Sequence, residues 1–445
     1  MDNQSNGKIG LFGAVFILVG SMIGSAIFSL SGLTLYTSGP AAILSWLIAA
    51  AVQLVYGMVV AELATIYPKS GGVFVFPALA LGGPDAKNKS VGAFWGWVST
   101  WGYVLSNVVA VAFSAIYVGT YLGAGFGLGG EWQIPLAVIS VAVCLLLNAI
   151  NFSTAGKLNT VLVSALVAAL AVFVGFALFG GSWKGELLLP LFTQGAGGTF
   201  GFLSSVPTAM VGYGAIVSMA FMVSEVREPK KNVPRSMLIA MAIVAGIYVL
   251  VLFATAGIVS ASALAENEGM RYIPLYAACF EMTAYPFLAK VVSVAAVLAL
   301  LTTMLVLLAL TGRALAAAGE AKTLPAIFAS QGKGGTPLFA TAIVAAVAAV
   351  VSCFPAFTET MVGLGALFGA LTTVINIISL YAARKKNPYI PGSFRTPGGA
   401  VLPAVILAVI ILSYVPDVIG GGWLIWAYTA ALYAVGILIY RFCSK

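Results

Sequence analysis

Nine residues near the start of the chain hold its most chemically suggestive pattern: Gly20-Ser21-Met22-Ile23-Gly24-Ser25-Ala26-Ile27-Phe28. Apolar runs flank them, Leu11 to Val19 before and Ile27 to Leu35 after. In hydrocarbon every backbone N–H and C=O needs an internal partner. Here two glycines and two serines fall within six residues, and each Gly weakens a helix by about 1 kcal/mol relative to Ala. An unwound turn would free donors and acceptors at membrane depth, where they persist only beside a cavity or ligand. The half-helix resuming after it would present free N–H groups and a partial positive charge, which suits a carboxylate. The same small residues also suit close helix packing, and the stretch alone leaves both readings open.

The composition defines the setting. Of 445 residues, 61% are hydrophobic and 8% charged, against about 25% charged in soluble domains. This is the balance of an all-α polytopic membrane protein. With about 20 apolar residues per crossing, twelve spans are predicted: 11–35, 41–66, 92–122, 133–151, 157–180, 200–224, 236–260, 287–316, 338–354, 359–383, 401–416 and 422–441. The net charge of +8 does not point to nucleic acid, because the basic residues sit in short loops. The predicted loops place 18 of the 21 Lys and Arg on one side. These are Lys8, Lys69, Lys87, Lys89, Lys157, Arg227, Lys230, Lys231, Arg235, Arg313, Lys322, Lys333, Arg384, Lys385, Lys386, Arg395, Arg441 and Lys445; Lys184, Arg271 and Lys290 are the exceptions. The positive-inside rule then makes both termini cytoplasmic and the number of spans even. Asp417 is assigned to the loop between the last two spans.

Several activities are excluded. The chain has no histidine, and its four cysteines are scattered, so no metal site, disulfide framework or cofactor is expected. No HExxH pattern, Ser-His pair or P-loop is present, which argues against an enzyme or an ATP-driven pump. Met1 to Ile9 is polar and no cleavable signal is expected.

The sixth span repeats the oddity of the first. Val206-Pro207-Thr208-Ala209-Met210-Val211-Gly212-Tyr213-Gly214-Ala215-Ile216 is apolar but interrupted by Pro and two Gly. Two interrupted spans, five apart and oppositely oriented, are the sequence mark of inverted repeats around a midplane site; packing kinks are the alternative.

At this point the sequence resembles a family. Val19–Phe28 resembles the first-helix motif of the amino acid–polyamine–organocation (APC) permeases. Ala61-Glu62-Leu63-Ala64-Thr65-Ile66-Tyr67-Pro68-Lys69-Ser70-Gly71-Gly72-Val73-Phe74 is similar to their signature after helix 2. Ser224-Glu225-Val226-Arg227-Glu228-Pro229-Lys230-Lys231-Asn232-Val233-Pro234-Arg235 is similar to the one after helix 6, and Gly312-Arg313 through Leu324-Pro325 to the loop after helix 8. The resemblance implies a leucine-transporter-type 5+5 inverted repeat. The first five-helix repeat is placed at 11–180, the second at 200–383, and two further helices at 401–441. Residues 1–10 and 442–445 form cytoplasmic ends. It also implies alternating-access transport of an amino acid or amine through the cell membrane, with the lipid bilayer as surroundings and a homodimer left open.

By the same resemblance, the substrate carboxylate meets the amides of Gly24, Ser25 and Ala26, and its ammonium meets carbonyls near Met22, Val211 and Gly214, with Ser21 and Ala215 beside them. Ala26 departs from the family's usual Gly. Tyr213 is chosen as an aromatic lid, with an interior hydrogen-bonded role as its alternative. Asn107 is either a site residue or a bond between helices. Glu62, at membrane depth, is either a coupling acid or a structural gate paired with Lys69 or another loop base. Glu225 and Arg227 are expected in gating ion pairs. Proton-coupled members carry a lysine where this chain has Leu166. Arginine–agmatine antiporters carry a glutamate at Val217 and a tryptophan near Leu307. These departures point to a neutral, apolar or aromatic side chain. An amine or polyamine antiporter of the same fold is the first alternative, and an amino-acid receptor that moves nothing is the second.

Overall fold

The structure is a computed structural model. It describes residues 9–67, 69, 71–82, 90–149, 152–222, 225–332, 335–386, 394–420 and 422–443, without the side chains of 152–161, 220 and 221. Lys8, Pro68, Ser70, Lys87, Lys89, Ser224, Lys333, Lys445 and the side chain of Lys157 lie outside the described residues. No strand occurs among the described residues.

The chain runs α1 (Leu11–Met22), α2 (Ser25–Ser38), α3 (Ala42–Ile66), α4 (Gly72–Gly82), α5 (Val91–Phe126), α6 (Gln133–Ala149), α7 (Phe152–Phe179) and α8 (Gly201–Val211). It continues with α9 (Pro229–Ala256), three short helices α10 (Ala261–Glu266), α11 (Glu268–Arg271) and α12 (Pro274–Glu281), then α13 (Phe287–Glu320), α14 (Leu338–Ser352), α15 (Thr358–Lys386), α16 (Val401–Ile419) and α17 (Trp423–Cys443). Ten stretches are long and apolar enough to cross a membrane. One of them, Ser25–Ile66, is two passes joined by a tight turn at Gly39–Ala41. Counting the 15-residue α14, the described residues hold twelve candidate crossings.

The long α5 packs against α13, α15, α4, α6 and α14 and forms the axis of the bundle. The windows of α6, α7, α16 and α17 are less than a third buried, and their outer faces carry exposed apolar side chains such as Ile139, Leu146, Ile411 and Leu438. That is the surface expected against lipid tails.

Three features differ from the sequence expectation. The segment between the second and third spans holds α4, an apolar helix buried against α5 and α15; at 11 residues it is too short to read as a span. The segment after α9 folds into α10–α12, which pack on α2. There Arg271 is buried with its guanidinium 3.7 Å from the centre of the Tyr36 ring, a cation–π contact that accommodates one of the three basic residues on the minority side. Asp417 lies inside α16 rather than in a loop. The helix runs two residues past it and ends at Gly420, whose N–H bonds Pro416 O at 2.8 Å.

The two interrupted spans are joined to each other at both faces. At the face where the chain begins, Ile9 N–H bonds Glu225 O (3.0 Å) and Arg227 N–H bonds Ile9 O (2.8 Å), a short parallel bridge. The side chains of Glu225 and Arg227 are exposed, and among the described residues neither enters an ion pair. At the opposite face Ala196 N–H bonds Tyr36 O (2.9 Å) and Gly197 N–H bonds Thr37 O (2.8 Å). Gly195 permits this approach, since a Cβ there would fall 2.3 Å from Thr37 O. Ser38 Oγ adds a bond to Gly201 O (2.9 Å).

Glu62, near the end of α3, meets Arg384, near the end of α15, in a bidentate pair: Nε to Oε1 at 2.8 Å and Nη2 to Oε2 at 2.7 Å. The Thr396 N–H also donates to Oε2 (2.7 Å), and Arg384 Nη1 donates to Gly399 O (2.8 Å). The Glu62 side chain is buried and that of Arg384 is largely so, 12% exposed. The basic partner is therefore on α15, not Lys69. Removing one member of a buried pair leaves the other uncompensated. Glu62→Ala or Arg384→Ala should cost about 3–5 kcal/mol of stability, whereas replacing both with apolar residues costs less than either single change. Thermal unfolding of the purified variants in detergent measures this difference.

Candidate functional site

The break in the first span lies at Ile23–Gly24. Ile23 N–H still bonds Val19 O (2.9 Å), after which the chain leaves the helix, and α2 restarts at Ser25. The sixth span breaks at Gly212–Tyr213 and resumes as a 3₁₀ helix, Gly214–Phe221. Pro207 inside α8 supplies no N–H, and the N–H groups of Gly212 and Tyr213 make short-range bonds to Ala209 O (3.0 Å) and Met210 O (3.1 Å).

Two side chains from other spans bond the freed groups. Tyr248 of α9 points its hydroxyl at Met22 O (2.5 Å) and Gly212 O (3.3 Å), so one O–H serves both breaks. Thr303 of α13 accepts the Ser25 N–H (2.9 Å) and donates to Ala299 O (2.9 Å). Gly24 gives Thr303 its place, since a Cβ there would lie 2.0 Å from Thr303 Oγ1. Gln53 of α3 donates Nε2 to Met210 O (3.2 Å), the last turn before the second break.

A cavity of about 120 Å³ lies between the breaks, α3, α5, α13 and α15. Ser21, Met22, Gly24, Ser25 and Ala26 line it from the first span, and Val211, Gly214 and Ala215 from the sixth. Asn107 lines it from α5 and bonds Thr311 Oγ1 (2.8 Å). Val217 and Leu307 also face it, while Leu166 is buried outside the lining. No charged side chain lines the cavity among the described residues.

Tyr213 stands apart from its neighbours in sequence. It is fully buried outside the lining, in a cluster with Trp46 (centroids 5.9 Å apart) and Tyr248 (5.2 Å). In this conformation its ring is not a lid. Its hydroxyl has no hydrogen-bond partner among the described residues. Glu62 is remote from the lining as well, held by Arg384.

Sequence reasoning missed Tyr248, Thr303, Gln53 and Tyr56. The last lines the cavity and takes a bond from Asn376 Nδ2 (3.1 Å). Each is a polar residue set in an apolar span, and that is the signal they offered. Removing the Tyr248 hydroxyl should leave Met22 O and Gly212 O short of a donor. Tyr248→Phe is expected to lose about 1–3 kcal/mol in thermal unfolding. Gly24→Ala should destabilise through its collision with Thr303, and Gly24→Ala combined with Thr303→Ala should recover part of the loss in the same measurement.

Residues 9–439 match the family described as "Amino acid permease". The branched-chain amino acid permease BcaP of Bacillus subtilis is 25% identical over 459 residues, covering 98% of this chain and 93% of the relative. The serine/threonine exchanger SteT of the same organism is 26% identical over 272 residues, 60% of this chain and 59% of the relative. Its methylthioribose transporter is 27% identical over 457 residues, 98% and 92% of the two chains. The family match covers nearly the whole chain, and the relatives are permeases and transporters rather than enzymes: this chain belongs to the amino acid permease family.

Proposed function

We propose that the protein carries a neutral amino acid with an apolar or aromatic side chain across the cell membrane by alternating access, both termini facing the cytoplasm. The observation that carries this reading is the uncharged cavity bounded by main-chain ends of two broken spans. A zwitterion needs an anion site and a cation site but no net charge. The start of α2 supplies the first: its dipole and the Gly24, Ser25 and Ala26 amides receive the carboxylate, which takes over the Ser25 N–H from Thr303. The carbonyls of Met22, Val211 and Gly214 receive the ammonium, held in place by Tyr248.

The uncharged lining supports a neutral side chain, because a cationic one would be desolvated without a partner. Residues 11–180 and 200–383 form the two inverted halves, and their interrupted first helices share the site. Tyr213 closes over bound substrate by turning out of its aromatic cluster, a movement that gives its unpaired hydroxyl a partner. Glu62 acts in this reading as a structural anchor and not as a proton carrier. Glu225 and Arg227 act in gating through their main-chain bridge to Ile9.

A thermal-shift screen of the purified protein tests the reading. Neutral L-amino acids should stabilise it by RT ln(1 + [L]/Kd), about 2.7 kcal/mol at a hundredfold excess over Kd. Their methyl esters and decarboxylated amines should stabilise it far less, since the α2 terminus then meets no carboxylate. Ser25→Trp should remove the shift while the protein remains folded. Equal stabilisation by ester and free acid would contradict the site.

A further inference from the structure

Five glycines line the cavity: Gly24, Gly212, Gly214, Gly365 and Gly369. A glycine serves a protein by adopting positive φ, by allowing close packing, or by leaving space. None of the five has positive φ. Packing accounts for three. A Cβ on Gly24 would lie 2.0 Å from Thr303 Oγ1, one on Gly212 2.9 Å from the Trp46 ring, and one on Gly365 3.0 Å from Val109 Cγ1.

The other two differ. A Cβ on Gly214 would meet nothing within 4 Å, and one on Gly369 would meet only Ser106 Oγ at 3.5 Å, an ordinary contact. Gly369 lies well inside the 29-residue α15, where glycine is a poorer helix former than alanine, and neither backbone nor packing requires it. What the missing methyls leave is volume open to the cavity.

The geometry points to Gly369 as the residue that sets the size of the substrate's side chain; Gly214, whose carbonyl is assigned to the ammonium, belongs to the head-group site. This rests on the reading that the cavity holds an amino acid. α15 contributes none of the main-chain ends at the breaks, so Gly369 acts on the side chain and not on the zwitterionic head. Around it α15 presents Ala366 and Thr373, three and four residues away, and the adjacent Ala370 as a small-residue wall. Added bulk at Gly369 narrows the space for a large side chain and leaves the head group's bonds intact.

The test uses the whole chain purified as wild type, Gly369→Ala, Gly369→Val and Ser25→Trp. Kd is read from ligand-dependent thermal stabilisation by glycine, L-alanine, L-valine, L-leucine and L-phenylalanine. Gly369→Val should weaken the largest ligand that wild type binds by tenfold or more, while the smallest bound ligand stays within about twofold. Gly369→Ala should shift the ranking the same way by a smaller factor, and decides the matter if Gly369→Val does not fold. Equal weakening of all ligands, or an unchanged ranking, overturns the assignment. If Ser25→Trp keeps the wild-type ranking, or if wild type is stabilised by none of the five, the cavity reading itself fails. If Ser25→Trp abolishes stabilisation while the glycine variants rank ligands as wild type does, only the size assignment falls.

Discussion

A helix interrupted inside hydrocarbon leaves N–H and C=O groups that lipid cannot solvate, and the architecture of this protein answers that constraint with two hydroxyls. Tyr248 donates toward carbonyls on both interrupted spans, and Thr303 accepts an amide at the restart of the first. These bonds fix the distance between the breaks and so define the space between them. The main-chain bonds at Ile9–Val226 at one end, and of Tyr36 and Thr37 with Ala196 and Gly197 at the other, then tie the two spans together at both ends. The bundle of α3, α5, α13 and α15 closes around what remains.

Charge is kept out of this centre and arranged elsewhere. The buried carboxylate of Glu62 is matched by both nitrogens of an Arg384 fork and a main-chain amide, away from the cavity. Arg271, on the opposite side of the protein, rests on an aromatic ring. Among the described residues, the polar groups of the largely apolar cavity lining are dipoles and not charges: amides, carbonyls, hydroxyls and the Asn107 and Gln53 side chains. In the proposed reading, dipoles fixed by helix ends would hold a zwitterion without the desolvation cost of a buried full charge.

What the sequence made legible follows from the range of the interactions involved. Both breaks were visible, because glycine, serine and proline act on their own turn. The twelve crossings were visible because hydropathy is local, and the sidedness of Lys and Arg kept the count honest. Tyr248 and Thr303 were not, since their partners lie 226 and 278 residues away; neither was Arg384, 322 residues from Glu62. The helix α4 escaped because eleven apolar residues are too few for a span and too many for a turn. Tyr213 was placed beside the break by sequence, but which side of the chain its ring faces depends on Trp46 and Tyr248, which no local pattern reveals.

The bridges between the first and sixth spans also bear on how the chain is made. When Leu11–Ser38 enters the bilayer, Glu225 and Arg227 have not been synthesised, and neither have Tyr248 and Thr303. Until they arrive, the interruption at Ile23–Gly24 sits in the membrane with polar groups that only water or neighbouring protein can satisfy. The first segment to be inserted is thus among the last to be finished, and a product stopped before α13 carries an incomplete N-terminal half however apolar its helices are.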